Sequence, residues 1–102
     1  MIEFTWDPAK NLVNQRKHGI SFEEAQTVFW DDYALIEFDS EHSDNEERFR
    51  ILGRSLKGNI LIVVYCMRYE SFIRIISSRM ATSRERKEYE RRVVIWQTEM
   101  NI

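Results

Sequence analysis

Twelve of the fifteen lysines and arginines lie between residues 48 and 92, against four carboxylates, while residues 1–47 carry twelve carboxylates and three basic groups. A formal net charge of −2 conceals this split. An asymmetry of this kind points to one cationic face for a polyanion, the competing reading being that the two halves neutralise each other within the fold. Arg48, Arg50 and Arg54 stand at even spacing with Leu52, so a strand would present them together and leave Phe49, Ile51 and Gly53 opposite. Guanidinium groups side by side can hold a phosphate through paired N–H donors. In 72–79, alternation sets Phe72, Arg74, Ile76 and Ser78 against Ile73, Ile75, Ser77 and Arg79. Either Arg74 or Arg79 can therefore join Arg50 and Arg54 on an open face. Arg84, Arg86, Lys87, Arg91 and Arg92 follow, and Glu85, Glu88 and Glu90 can pair with most of them along a solvated helix. Tyr65, Tyr69 and Tyr89 lie near these cations in sequence, where an aromatic ring can stack on an unpaired base or simply fill the core.

Candidates for proton transfer are few. The two histidines, His18 and His42, both fall in the acidic half. His18 precedes Gly19 at a helix end, a place for capping and dipole compensation. His42 sits in a polar loop and is either decoration or catalytic. Asp31-Asp32 and Asp39 to Glu41 read as turn residues, not as a ligand cluster, so neither a metal nor a cofactor is expected. Cys66 lies in an apolar run and suits a small buried hydrophobe.

The elements that must position these groups follow from periodicity and caps. Residues 2–6 read as a short strand and 8–18 as a helix opened by Asp7-Pro8, closed by Gly19, and packed through Ala9, Leu12 and Val13. Ser21 and Glu24 form a capping box, with Ile20 and Ala25 as a staple, for a second helix ending near Asp31. Residues 33–39, 47–54, 60–67 and 72–79 read as strands, the third apolar on both faces and hence central. Thr82 and Glu85 cap a last helix to about residue 98, with Tyr89, Val93, Trp96 and Met100 along one side. The expectation is one α+β domain over 1–102. Two N-terminal helices pack on an antiparallel sheet of about four strands, a C-terminal helix follows, and 93–102 form a helix extension or tail. No long uncharged apolar stretch and no signal-peptide pattern is present, so a cytoplasmic protein without membrane contact is expected.

Several strings together resemble a known family. They are Trp6-Asp7-Pro8-Ala9-Lys10, then Lys17-His18-Gly19-Ile20-Ser21-Phe22-Glu23-Glu24-Ala25 with Val28-Phe29. Glu47-Arg48-Phe49, Leu52-Gly53-Arg54, Ile73-Arg74-Ile75-Ile76-Ser77 with Arg79, and Glu85-Arg86 with Tyr89-Glu90 complete the set. In this order they resemble BrnT toxins. The resemblance implies a RelE-like fold and metal-independent endoribonuclease activity that arrests growth. It also implies neutralisation by a BrnA-like ribbon-helix-helix antitoxin, with DNA met only through the complex of the two. Two departures stand out: Ser78 and Met80 thin the positive charge beside Arg79, and the tail from Val93 has no counterpart. Under this resemblance Arg74 and Arg79 would stabilise the phosphorane, Arg54 would position the backbone, and Glu70 or Tyr89 would move the proton. Arg50, Arg68, Arg84 and Arg86 would bind RNA. The plainer alternatives are a salt bridge for Glu70 and a core position for Tyr89. At the level of function the rivals are a non-catalytic module binding nucleic acid or protein through the same face, and a pure protein-interaction subunit.

Overall fold

Asp7, Pro8 and Gly19 set the bounds of the first helix. In the computed structural model, which describes residues 2–100, strand β1 (Glu3–Thr5) leads into helix α1 (Pro8–His18). The Asp7 carboxylate accepts from the Ala9 amide at 2.9 Å, and Gly19, at φ 71°, donates its amide to the Gln15 carbonyl. Helix α2 (Phe22–Gln26) starts where the Ser21 hydroxyl accepts from the Glu24 amide at 3.0 Å. Glu24 does not close the box. Its carboxylate is buried and accepts instead from Ser55 Oγ at 2.7 Å and Asn59 Nδ2 at 2.8 Å, pinning a distant turn. The helix expected to reach Asp31 is therefore five residues long and passes into a 3₁₀ turn (Thr27–Trp30). Thr27 turns its hydroxyl back onto the Glu24 carbonyl at 2.7 Å, the kind of local bond that ends regular α geometry.

Helix α1 docks through asparagines, not through the apolar stripe that periodicity suggests. Leu12 and Val13 are about half exposed, at 56% and 49%, while Asn11 and Asn14 are buried. The Asn14 amide donates to the Ile20 and Ser78 carbonyls, each at 2.8 Å, and accepts from the Ser78 amide at 3.1 Å. Asn11 Oδ1 accepts from the Phe22 amide at 2.9 Å. Buried backbone groups need partners, and here side-chain amides supply them.

The remaining elements are β2 (Leu35–Phe38), a 3₁₀ turn (Ser40–His42), β3 (Arg48–Arg54), β4 (Ile60–Arg68), β5 (Phe72–Met80) and α3 (Ser83–Met100). The sheet order is β1-β5-β4-β3-β2. This corrects the expected antiparallel sheet of about four strands: among the described residues there are five, and β1 joins β5 in parallel through Glu3–Phe72, Phe4–Ile73 and Thr5–Arg74. The three-residue strand is too short for its direction to be read from alternation. The central β4, flanked by antiparallel β3 and β5, matches its doubly apolar sequence.

Phe22, Ala25 and Val28 cover one face of the sheet, packing on Ile51, Leu61, Val63, Tyr65, Ile73 and Ile75. Cys66 is buried. The opposite face is covered only in part, by α3, which buries Tyr89 against Leu52, Ile60, Ile62 and Ala81. The Tyr89 hydroxyl donates to Asp31 Oδ2 at 2.6 Å, tying α3 to the turn before β2. Gly53 is needed beneath that turn, since a Cβ there would stand 2.8 Å from Val28 Cγ1 and 3.1 Å from Ala34 Cβ. Along α3 the expected apolar line leaves the sheet after Val93: Trp96 and Met100 are 39% and 75% exposed, and residues 101 and 102 lie outside the described residues. Among the described residues no helix is long and apolar enough to cross a membrane.

Candidate active site

A β-bulge decides which arginines meet. Cys66 pairs with Arg74, Val64 with Ser77 and Ile62 with Arg79, with the register shift at Val64/Tyr65. Cys66, Val64 and Ile62 share one face of β4, so the extra residue in β5 puts Arg74, Ser77 and Arg79 all on that face. Strict alternation assigns Arg74 and Arg79 to opposite sides. The same face of β3 carries Arg48, Arg50, Leu52 and Arg54, because Arg48 pairs with Cys66, Arg50 with Val64 and Leu52 with Ile62.

Where α3 does not reach, this face forms a cleft of about 350 Å³. Ile62 and Val64 lie among its lining, Arg48 and Arg50 come from β3, and Ser77 and Arg79 from β5. His18, at the end of α1, Asp39, just before the second 3₁₀ turn, His42, within that turn, and Ser78 on β5 also line it. His42 Nδ1 lies 3.1 and 3.2 Å from the two Asp39 carboxylate oxygens. Asp39 is buried to 3% side-chain exposure, while His42 is 61% exposed. The turn holding them is fixed by backbone bonds: the Asp39 amide donates to the Arg48 carbonyl at 2.8 Å, and Ser43 Oγ donates to the Asp39 carbonyl at 2.6 Å. A buried carboxylate on one ring nitrogen sets the tautomer and leaves Nε2 as the free nitrogen.

Each cleft arginine leans on a glutamate. Arg50 meets Glu37 at 2.9 Å, Arg48 meets Glu46 at 3.7 Å, and Arg79 makes a two-pronged pair with Glu85 at 2.8 and 3.1 Å. The Arg79 guanidinium holds the Glu85 carboxyl well below the usual range, down to about 2, and Glu85 raises Arg79 in turn. These pairs reduce the free positive charge but also hold the guanidinium planes in place, and each guanidinium has five N–H donors. The Nε atoms of Arg48 and Arg50 are covered and meet no acceptor among the described residues.

The other sequence-predicted residues lie elsewhere. Arg74 is on the same face but outside the cleft lining, one row nearer the β4–β5 turn. Glu70 is exposed in that turn, and Arg68 beside it pairs with Glu46 at 2.9 Å. Arg54 lines a separate hollow with Arg86 and Glu90, where its guanidinium lies 5.9 Å from the Tyr89 ring centre and donates to the Gly58 carbonyl. Tyr89 is 2% exposed, and burial, followed by its bond to Asp31, pushes its hydroxyl up to about 12. That environment suits an anchor and is poor for proton transfer. Arg84 is exposed near the start of α3. The structure thus brings Arg50 and Arg79 together and separates Arg54, Glu70 and Tyr89 from them. Of the other cleft groups, sequence reasoning put Arg48 on the arginine face without a role, read His18 as a helix cap, left His42 as decoration or catalytic, and took Asp39 for a turn residue. The only local sign of the Asp39 and His42 pair was its spacing of three in a polar loop.

Among the described residues no group of three or more His, Cys, Asp or Glu side chains is placed to share a cation. The sequence model of the BrnT ribonuclease toxins of type II toxin-antitoxin systems matches residues 6–85. No curated protein sequence matches the chain. The crystal structure of the Brucella abortus ribonuclease toxin BrnT superposes with a TM-score of 0.63 at 20% identity, covering 81% of this chain and 100% of that one. That likeness shows a shared fold. The family match spans most of the sequence, and on that ground the chain belongs to the BrnT family of ribonuclease toxins of type II toxin-antitoxin systems.

Proposed function

We propose that the chain is a RelE-like endoribonuclease that cuts RNA in the cleft between Arg48, Arg50 and Arg79, without a metal ion, and so arrests growth in the cytoplasm. The observation that carries this reading is the convergence of three guanidiniums and two histidines on one cleft. RNA carries its own nucleophile in the 2′-hydroxyl, so a protein need only align it with phosphorus, move two protons and stabilise the charge of the phosphorane. Arg50 and Arg79 hold the non-bridging oxygens and Arg48 adds a third cation. Arg74, one row away, and Arg54 and Arg86, on the far side of α3, contact the backbone of a longer strand, as Arg68 and Arg84 do at the rim. Glu70 and Tyr89 have no part in proton transfer in this account.

A toxin must be silenced in its own cell. The antitoxin is of the ribbon-helix-helix, BrnA-like type, covers the cationic cleft with an acidic or amphipathic segment, and brings the toxin to DNA only as part of the complex. Complementary charge would speed that association.

Incubation of the purified protein with single-stranded RNA in excess EDTA tests the catalytic reading. Fragments are expected with EDTA as without it. Intact RNA with retained binding would support the non-catalytic module instead, and salt dependence would not separate the two, because phosphate contacts displace counterions in both.

A further inference from the structure

We propose that His42 is the general base and His18 the general acid of the cleavage step, with Asp39 as the positioning residue of His42. The assignment rests on the ribonuclease reading and names the groups that do its chemistry. Both histidines line the same cleft, and they enter it from opposite sides. His42 comes from the turn bonded to Arg48 on β3, whereas His18 ends α1, the helix fixed to β5 through Asn14 and Ser78. The central strand β4, with Ile62 and Val64, runs between them. Displacement at phosphorus needs its attacking and leaving oxygens roughly in line, and so requires an acceptor and a donor on opposite sides of the phosphate.

The two rings are held differently, and this assigns their roles. Asp39 occupies Nδ1 of His42 at 3.1 Å, so that Nδ1 carries the hydrogen and Nε2 presents a lone pair. The same carboxylate stabilises the imidazolium once the proton has been taken. His18 has no carboxylate within ion-pair distance among the described residues, and it stands in the last turn of α1 with its side chain exposed. It is free to present N–H to a leaving oxygen.

His42 Nε2 removes the proton of the 2′-hydroxyl, the 2′-oxygen bonds to phosphorus, and the bond from phosphorus to the 5′-oxygen breaks. That oxygen receives the proton of His18. The products are a 2′,3′-cyclic phosphate and a 5′-hydroxyl, with His42 left protonated and His18 neutral until solvent exchange restores both.

A leaving-group substitution separates base from acid. One short single-stranded RNA carries the ordinary 5′-oxygen at the cut site and a second carries sulfur there, which departs without needing a proton. His42→Ala is expected to lower kcat by about 10²-fold or more on both. His18→Ala is expected to lower it comparably on the oxygen substrate and to approach the parent rate on the sulfur one. Both side chains are exposed, and binding of a 2′-O-methyl RNA, which has no nucleophile, checks that each variant is folded and still holds substrate. Parent rates in both variants, with Arg79→Ala inactive, would overturn the histidine assignment and leave the ribonuclease reading standing. Sulfur rescue of His42→Ala instead of His18→Ala would overturn it too. Failure of the parent protein to cut either substrate would overturn the ribonuclease reading and this assignment with it.

Discussion

At the scale of single residues, the contact between Arg79 and Glu85 has the clearest measurable consequence. Glu85 is held by the Arg79 guanidinium and by the Thr82 amide at the start of α3, and these lower its carboxyl from about 4.5 to about 2. The unfolded chain therefore takes up this proton at a higher pH than the folded chain does. Between those two values the unfolded state binds more protons, so stability falls as the solution is acidified through that window and is fully present above it. Arg79 is 41% exposed, so solvent screening reduces the contribution to about 1 kcal/mol. Urea midpoints at pH 6 and pH 3 should show Glu85→Gln losing less stability on acidification than the parent; equal losses would contradict the pairing. The same residues mark where sequence reading succeeds. Thr82 and Glu85 were readable as a cap because the rule is local, whereas the Arg79 bond to that cap joins a strand to the following helix and has no periodic trace.

At the scale of elements, β1 ends opposite Arg74, and beyond that point the outer edge of β5 has no strand beside it among the described residues. Asn14 takes the place of one. Its amide donates to the Ser78 carbonyl and accepts from the Ser78 amide, as a neighbouring peptide would. Because Ser78 lies between Ser77 and Arg79, the same bonds hold two cleft residues just past the bulge. Asn14→Ala should leave these buried groups unsatisfied and lower stability by about 2–3 kcal/mol, with RNA cleavage reduced in the remaining folded protein. Unchanged stability in a denaturant titration would remove this role. Caps, turn signals, the alternation of β3 and the doubly apolar run of β4 were legible in the sequence, and they located α1, α2, α3 and the four later strands. The bulge and the asparagine docking were not. A bulge changes the period by one residue at a point that only the partner strand defines, and a buried asparagine has the composition of a solvent-facing one. A single arginine face read from alternation therefore joins Arg54, which lines a separate hollow, to Arg50, leaves open whether Arg74 or Arg79 belongs with them, and gives no sign that Asp39 meets His42.

At the scale of the whole molecule, α3 divides the arginine-bearing face in two. On one side lies the cleft with its histidines, and on the other Arg54 and Arg86 share a hollow with Glu90. The charge split along the sequence thus becomes two cationic surfaces joined at the sheet, each tempered by carboxylates from the acidic half or from α3. In the proposed reaction the phosphodiester sits on the first of them. The direct measurement is the change in the ¹H–¹⁵N spectrum of the labelled protein on adding a 2′-O-methyl oligoribonucleotide. Shifts gathered at His18, Asp39, His42, Arg48, Arg50, Ser77 and Arg79 are expected. Shifts confined to Arg54, Gly58 and Arg86, or to the turn at Tyr69 and Glu70, with the cleft unchanged, would contradict the account.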